Sequence, residues 1–367
     1  MINSLDLQDL EARLKKYISN LNTKDYNFNP VNSGNNSNGN NMQLGFLCYA
    51  LKTMYTLNDS KLDNNDYING ILKKINSFQE TGTNYYEGYY IDQNYVKAFR
   101  KNYFKIFIKN VVKFTLKKIK FSEINPNKKL KEFLRAETKQ SIATIGQFKK
   151  LPAVNFYEYP KNEMEVKKFI SKLDWRFPWN AGAQTAGICV FISFDKRIKE
   201  LSKYINSEIE KLVQPDGAYY KGSIENQSEK INGAMKVLTG LDWLNIPIHK
   251  PKELIDLCLS HRPNREGCDI VDVIYVLYKC TEQTDYKKNE IKNYVEDLIP
   301  IIMTHYKEEE GGFSYYSKKS QEYYYGVRIS EGKDEADLHG TTLLTWALSM
   351  IFSILGKPYP SWKIIKP

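Results

Sequence analysis

Ala181–Phe194 reads AGAQTAGICVFISF and Thr341–Leu355 reads TTLLTWALSMIFSIL, and neither stretch contains a charged residue. A helix that is apolar all round has to be covered all round. The segments between such stretches are of another kind. Ile198, Leu201, Ile205, Ile209 and Leu212 step by 3, 4, 4 and 3 residues with charges between them, and Ile291, Val295, Leu298 and Ile302 recur in the same way. That spacing predicts helices with one wet side and one buried side.

Dry and half-wet helices alternate along the chain. Polar groups open the dry ones at Gln43, Glu137, Gln184, Asn232, Asp272 and His339, and from Glu137 onward the steps are 47, 48, 40 and 67 residues. One covered and one exposed helix per period is the pattern of stacked helical hairpins. Open HEAT and armadillo arrays share the period, but their inner helices line a wet concave face and carry more charge. Closing the array covers the inner helices. The expected fold is all-α, an α/α toroid of roughly five to seven helical hairpins. Residues 42–360 form this single large domain, residues 1–41 an N-terminal helix (Leu5 to Tyr17) and an Asn-rich loop, and residues 361–367 a C-terminal tail.

Composition limits the function classes. The 367 residues are 42% hydrophobic and 26% charged, far from the signature of disorder. No run of apolar residues is long enough to span a membrane and the first residues are acidic where a secretory signal is basic, so the expectation is a soluble, cytoplasmic protein. The five cysteines make no C-x-x-C pair and most lie in apolar runs, which predicts reduced, packed thiols. The net charge of +10 points to an anionic partner. Its densest cluster, Lys97 to Lys120, sets lysines near helical spacing beside Phe107, Val111 and Leu116, which predicts an amphipathic helix with a solvated face rather than a nucleic-acid interface. No P-loop, G-x-G-x-x-G, H-E-x-x-H or G-x-S-x-G occurs.

Three loops repeat a Gly-aromatic signature: Glu87-Gly88-Tyr89-Tyr90, Asp216-Gly217-Ala218-Tyr219-Tyr220 and Gly311-Gly312-Phe313-Ser314-Tyr315-Tyr316. Each predicts a tight turn with positive φ followed by an aromatic that caps the next helix pair. The segment Asp285 to Leu298 and a Tyr-rich insertion, Tyr315 to Glu335, lengthen the last step, and the insertion is polar and flexible enough to serve as a lid. Asn27 to Asn41, rich in asparagine, predicts a loop or disordered strap.

Two segments carry a family resemblance. His261-Arg262-Pro263-Asn264-Arg265-Glu266-Gly267-Cys268-Asp269-Ile270-Val271-Asp272-Val273-Ile274-Tyr275 resembles the part of protein prenyltransferase β subunits where Arg-Pro precedes an Asp-x-Cys-Tyr helix start. Gly311-Gly312-Phe313-Ser314, followed by Glu335-Ala336-Asp337-Leu338-His339-Gly340-Thr341, is similar to that family's Gly-Gly-Phe turn and His-Thr helix start. Terpene and squalene cyclases share the toroid and the Gly-aromatic turns. The resemblance implies a catalytic zinc held by Asp, Cys and His, which fall on Asp272, Ile274 and His339. Isoleucine ligates no metal, so the expectation is no zinc and no cofactor, with rescue by Cys268 from the preceding turn as the alternative. The cyclases' Asp-x-Asp-Asp cluster is also broken, since Asp269-Ile270-Val271-Asp272 lacks the adjacent acidic pair.

The candidate catalytic residues are Asp272 and His339. Candidate ligand-binding residues are Asn180, Gln184, Asn232, Asp216, Tyr219 and Asp337, most of them near helix N-termini that would gather at one end of a cavity and favour an anion. Arg135, Glu137 and Gln140 read as a capping and salt-bridge motif at a helix start. The leading expectation is a cavity that binds or converts an isoprenoid-like or amphiphilic anion, with aromatic walls and basic groups as its means. The alternatives are a carbohydrate-active toroid acting on acidic sugars and a non-catalytic scaffold. Neither a nucleic-acid partner nor a membrane span is expected.

Overall fold

The computed structural model describes residues 6–24, 26–82, 86–116, 124–264, 266–357 and 361–367. Among them are fifteen α-helices and only two two-stranded ribbons, so the protein is mostly helical. The dry segments expected from the sequence fall in α3 (Leu44–Thr56), α7 (Pro126–Gln147), α9 (Pro178–Ile192), α11 (Gln227–Leu244), α13 (Gly267–Thr281) and α15 (Leu338–Ile354), although α7 is charged over its N-terminal half. The half-wet helices include α1 (Leu7–Leu21), α4 (Asn65–Asn76), α8 (Glu163–Lys172), α10 (Ile198–Glu210), α12 (Pro251–Leu259) and α14 (Lys288–Met303). On α10 only the inner stripe Leu201, Ile205 and Ile209 is buried, whereas on α15 every face is. Each such side chain removed from water contributes roughly 1.5–3 kcal/mol.

Packing follows this division. Helix α3 packs on α7, α7 on α9, α9 on α11, α11 on α13, α13 on α15, and α15 on α3. The tightest pair is α9 with α11, where a Cβ on Gly240 would lie 2.9 Å from Cys189 Sγ and 3.1 Å from the Ala186 backbone. Only glycine lets these two helices approach so closely. The repeated turns behave as their sequence predicts: Gly88, Gly217 and Gly311 have φ of 82°, 79° and 79°. At Gly217 a Cβ would also strike the Lys250 carbonyl at 2.8 Å.

Several expectations are corrected. The Asn-rich segment is an ordered strap: it forms the short helix α2 (Ser37–Asn41), capped by Asn36, and bridges Val31 to Asp337 and Asn35 to Ser330. Helix α1, whose predicted first residue Leu5 lies outside the described residues, packs against α3 and buries Leu10 and Leu14 in one hydrophobic cluster and Tyr17 in another, which also holds the buried apolar residues of α3. Arg135, Glu137 and Gln140 do not open a helix, because α7 begins at Pro126 with Asn125 as its cap. The basic segment divides into α5 (Gln93–Lys101) and α6 (Tyr103–Thr115), and α6 buries no residue fully; residues 117–120 lie outside the described residues. The Tyr-rich insertion is docked rather than loose. Its ribbon pairs β3 (Tyr323–Tyr324) with β4 (Val327–Arg328), and Tyr324 is buried. A second ribbon, β1 (Tyr306–Lys307) with β2 (Gly312–Phe313), carries the third Gly-aromatic turn.

The C-terminal tail crosses the far ends of three dry helices. Lys363 N donates to the Thr56 carbonyl at 2.8 Å, Lys366 N to Gln147 Oε1 at 2.9 Å, and Trp243 Nε1 to the Pro367 carbonyl at 2.8 Å.

Candidate functional site

A cavity of about 450 Å³ lies among α3, α7, α9, α11, α13 and α15, with Tyr315, Gln321, Tyr324 and Tyr325 of the insertion forming part of its wall and Ile365 and Pro367 of the tail another part. That volume suits a small organic ligand. Its more exposed lining residues, Lys129, Trp179, Asn180 and Ala183, belong to the N-terminal parts of α7 and α9.

Three lysines reach the cavity from three helices: Lys52 on α3, Lys139 on α7 and Lys236 on α11. Lys52 is only 9% exposed. Among the described residues neither Lys52 nor Lys139 has an ion pair or a side-chain hydrogen bond, and Lys236 lies 3.8 Å from Asp272. Burial depresses the Lys52 ammonium, and burial together with the charges of Lys52 and Lys236 holds that of Lys139 well below the usual lysine range. A desolvated cation that makes no ion pair or side-chain hydrogen bond is costly. Arg135 is a further half-buried cation of the lining: its guanidinium lies over Phe169 and Phe191, its Nη1 is 3.9 Å from Glu158, and its Nε and Nη2 are buried without hydrogen-bond partners.

Asp272, in the second turn of α13, is fully buried, and neither of its carboxylate oxygens accepts a hydrogen bond. Burial, opposed by Lys236 and reinforced by Asp269, pushes it up to about 6. It is therefore a carboxyl that exchanges its proton near neutrality.

His339 is held by stacking. Its ring lies between Tyr49, at 4.6 Å and 16°, and Tyr315, at 5.2 Å and 17°, while its Nδ1 is 3.0 Å from Gln321 Oε1. With Gln321 Oε1 as acceptor, Nδ1 carries the proton and Nε2 keeps the lone pair. Burial and the nearby Lys236 push this imidazole down to about 3. It stays neutral, accepting a hydrogen bond rather than binding an anion by charge.

Asn180, Gln184, Asp272 and His339 thus share one cavity, and the other sequence-derived candidates lie outside its lining. With its amide oriented to satisfy both partners, Asn232 donates to Asp269 Oδ1 at 3.3 Å and to the Ser228 carbonyl at 3.2 Å. Asp216 accepts from Tyr220 Oη at 3.0 Å and from Lys230 at 2.9 Å in an outer turn, where Tyr219 meets His249. Asp337 caps α15 and accepts from the backbone N–H groups of Gly340, Tyr315 and Gln321 at 2.7, 2.6 and 3.1 Å. It therefore positions two lining residues without facing the cavity itself.

The sequence reading missed Lys52, Lys139 and Lys236, and it took Glu137 for part of a capping and salt-bridge motif, whereas Glu137 is a buried acid that accepts a short hydrogen bond from Tyr324 Oη. Burial raises Glu137 to about 8. A signal was present: Lys52 is the only charge in Leu44–Thr56, and a lone charge in a dry helix demands a partner.

The residues do not fit a catalytic zinc. Ile274 is packed in the core, Cys268 lines the cavity as a thiol pushed up to about 11 by burial, and among the described residues no three His, Cys, Asp or Glu side chains converge in a group that could hold a metal. Comparison of the chain with family models, curated proteins and solved structures finds no match.

Proposed function

We propose that the protein is an α/α toroid of six helical hairpins whose central cavity binds an amphiphilic anion, an isoprenyl diphosphate being the model ligand. Support for the ring comes from the order of packing, which runs from α3 through α7, α9, α11, α13 and α15 back to α3. The observation that carries the ligand class is the convergence of Lys52, Lys139 and Lys236 on one cavity, where neither Lys52 nor Lys139 makes an ion pair among the described residues. An anion there would neutralise the group and offset its desolvation. Tyr49, Tyr315, Tyr324 and Trp346 supply aromatic surface for an apolar chain. Asp272 is the group placed to give or take a proton, and His339 Nε2 the group placed to orient a donor on the ligand.

A thermal-shift screen of farnesyl and geranylgeranyl diphosphate against acidic oligosaccharides tests this reading. Saturation at about 100 times the Kd adds roughly 2.7 kcal/mol of stability. The expected result is stabilisation by the diphosphates, lost in the double variant Lys52→Met/Lys139→Met. Stabilisation by oligosaccharides alone would transfer the cavity to acidic sugars, and no response to either class would leave the scaffold reading.

A further inference from the structure

Helix α6 presents an uncovered apolar face. Phe104, Ile108 and Val112 follow one another at four-residue intervals and are 72%, 46% and 52% exposed, with Phe107 and Leu116 exposed beside them. Lys105, Lys109 and Lys113 recur at the same interval one position further round, so a lysine arc borders the apolar arc. The helix is fastened by its other side. Tyr103, Ile106 and Asn110 are half-buried, Tyr103 Oη donates to Asn125 Oδ1 at 3.3 Å, and Asn110 Nδ2 donates to the Ile124 carbonyl at 3.3 Å. Its apolar residues are therefore displayed by an anchored helix.

Charge selects what covers this face. From Gln93 to Ser122 the sequence holds nine lysines and arginines and no aspartate or glutamate. A second copy of the chain would bring like charges together. A nucleic acid would satisfy the lysines but leave Phe104, Ile108 and Val112 in water. An anionic lipid surface satisfies both, because apolar side chains enter the acyl boundary while lysines extend to the headgroups. No described helix is long and apolar enough to cross a membrane, so the contact is interfacial.

We propose that α6 docks the protein onto the surface of an anionic bilayer through Phe104, Ile108 and Val112, with Lys105, Lys109 and Lys113 on the headgroups. Helix α6 packs against α7, which contributes Lys129, Glu132 and Phe133 to the cavity. Docking would therefore hold the cavity close to the bilayer.

The test is co-sedimentation of the full chain, without added ligand, with phosphatidylcholine vesicles and with vesicles containing phosphatidylglycerol. Binding is expected only to the anionic vesicles, weakening as salt is raised. Phe104→Ser/Ile108→Ser/Val112→Ser and, separately, Lys105→Gln/Lys109→Gln/Lys113→Gln should each lower the vesicle affinity by about tenfold or more, with unchanged circular dichroism and melting. Lys52→Met/Lys139→Met should bind vesicles like wild type, which separates this surface from the cavity. Equal binding by the wild type and both α6 variants, no binding to anionic vesicles, or binding only to RNA would overturn the proposal.

Discussion

The cavity and helix α6 are built from the same two kinds of side chain in opposite settings. Lys52, Lys139 and Lys236 share a buried space with Tyr49, Tyr324 and Trp346, whereas Lys105, Lys109 and Lys113 stand in water beside Phe104, Ile108 and Val112. Lysine beside an aromatic or aliphatic residue carries no fixed meaning. Inside, the lysines lose hydration and call for an anion; outside, they keep it, and the apolar residues are the groups left without a partner.

The two settings differ most in what the same substitution costs in each. Ile188 is fully buried on α9, and Ile188→Ala should cost about 2–5 kcal/mol in urea unfolding, while Ile108→Ala on α6 should stay within about 0.5 kcal/mol. Equal costs would mean that α6 is covered in solution.

A smaller effect is expected at Asp272. Its carboxyl is raised from 3.8 to about 6, so the folded protein holds this proton more tightly than the unfolded chain does. The favourable contribution is complete below 3.8 and is lost as pH rises through about 6. Asp272→Asn removes that slope. The variant should gain on wild type from about pH 4 to pH 7, reaching on the order of 2–3 kcal/mol at the upper end. Urea titrations at several pH values check it, and a constant difference would show that Asp272 stays ionised throughout.

The smallest difference concerns the lysines. Lys52→Met removes a buried cation that makes no ion pair among the described residues and should stabilise the ligand-free protein by about 1 kcal/mol, while Lys109→Met should change stability by less than about 0.5 kcal/mol. Thermal melts of the two variants against wild type measure both.

Much of the helical frame was legible because its signal is periodic. Uncharged Ala181–Phe194 and Thr341–Leu355 lie in helices buried on nearly all sides, and the stripe Leu201, Ile205 and Ile209 faces inward. The site was legible in part. Asn180, Gln184, Asp272 and His339 are polar residues in dry helices and share a cavity, but the same rule also selected Asn232, whose hydrogen bonds keep it in a network with Asp269 and Ser228. Lys52 and Lys236 were passed over although each is a charge among buried neighbours. The role of the tail had no local signal, because its partners Thr56, Gln147 and Trp243 are far away in the chain.

What the amino-acid order determined by itself is the set of local choices: which segments are helical, which turns need glycine, and which helices have a wet side. These follow from interactions within a few residues, where periodicity and backbone sterics act. Tertiary structure decided what each face meets. It gathered three lysines from α3, α7 and α11 around one cavity, stacked His339 between Tyr49 and Tyr315, pinned Tyr324 against Glu137, and left the apolar face of α6 uncovered. The physical reason is that desolvation and charge coupling depend on neighbours in space, and those neighbours come from segments far apart in the chain.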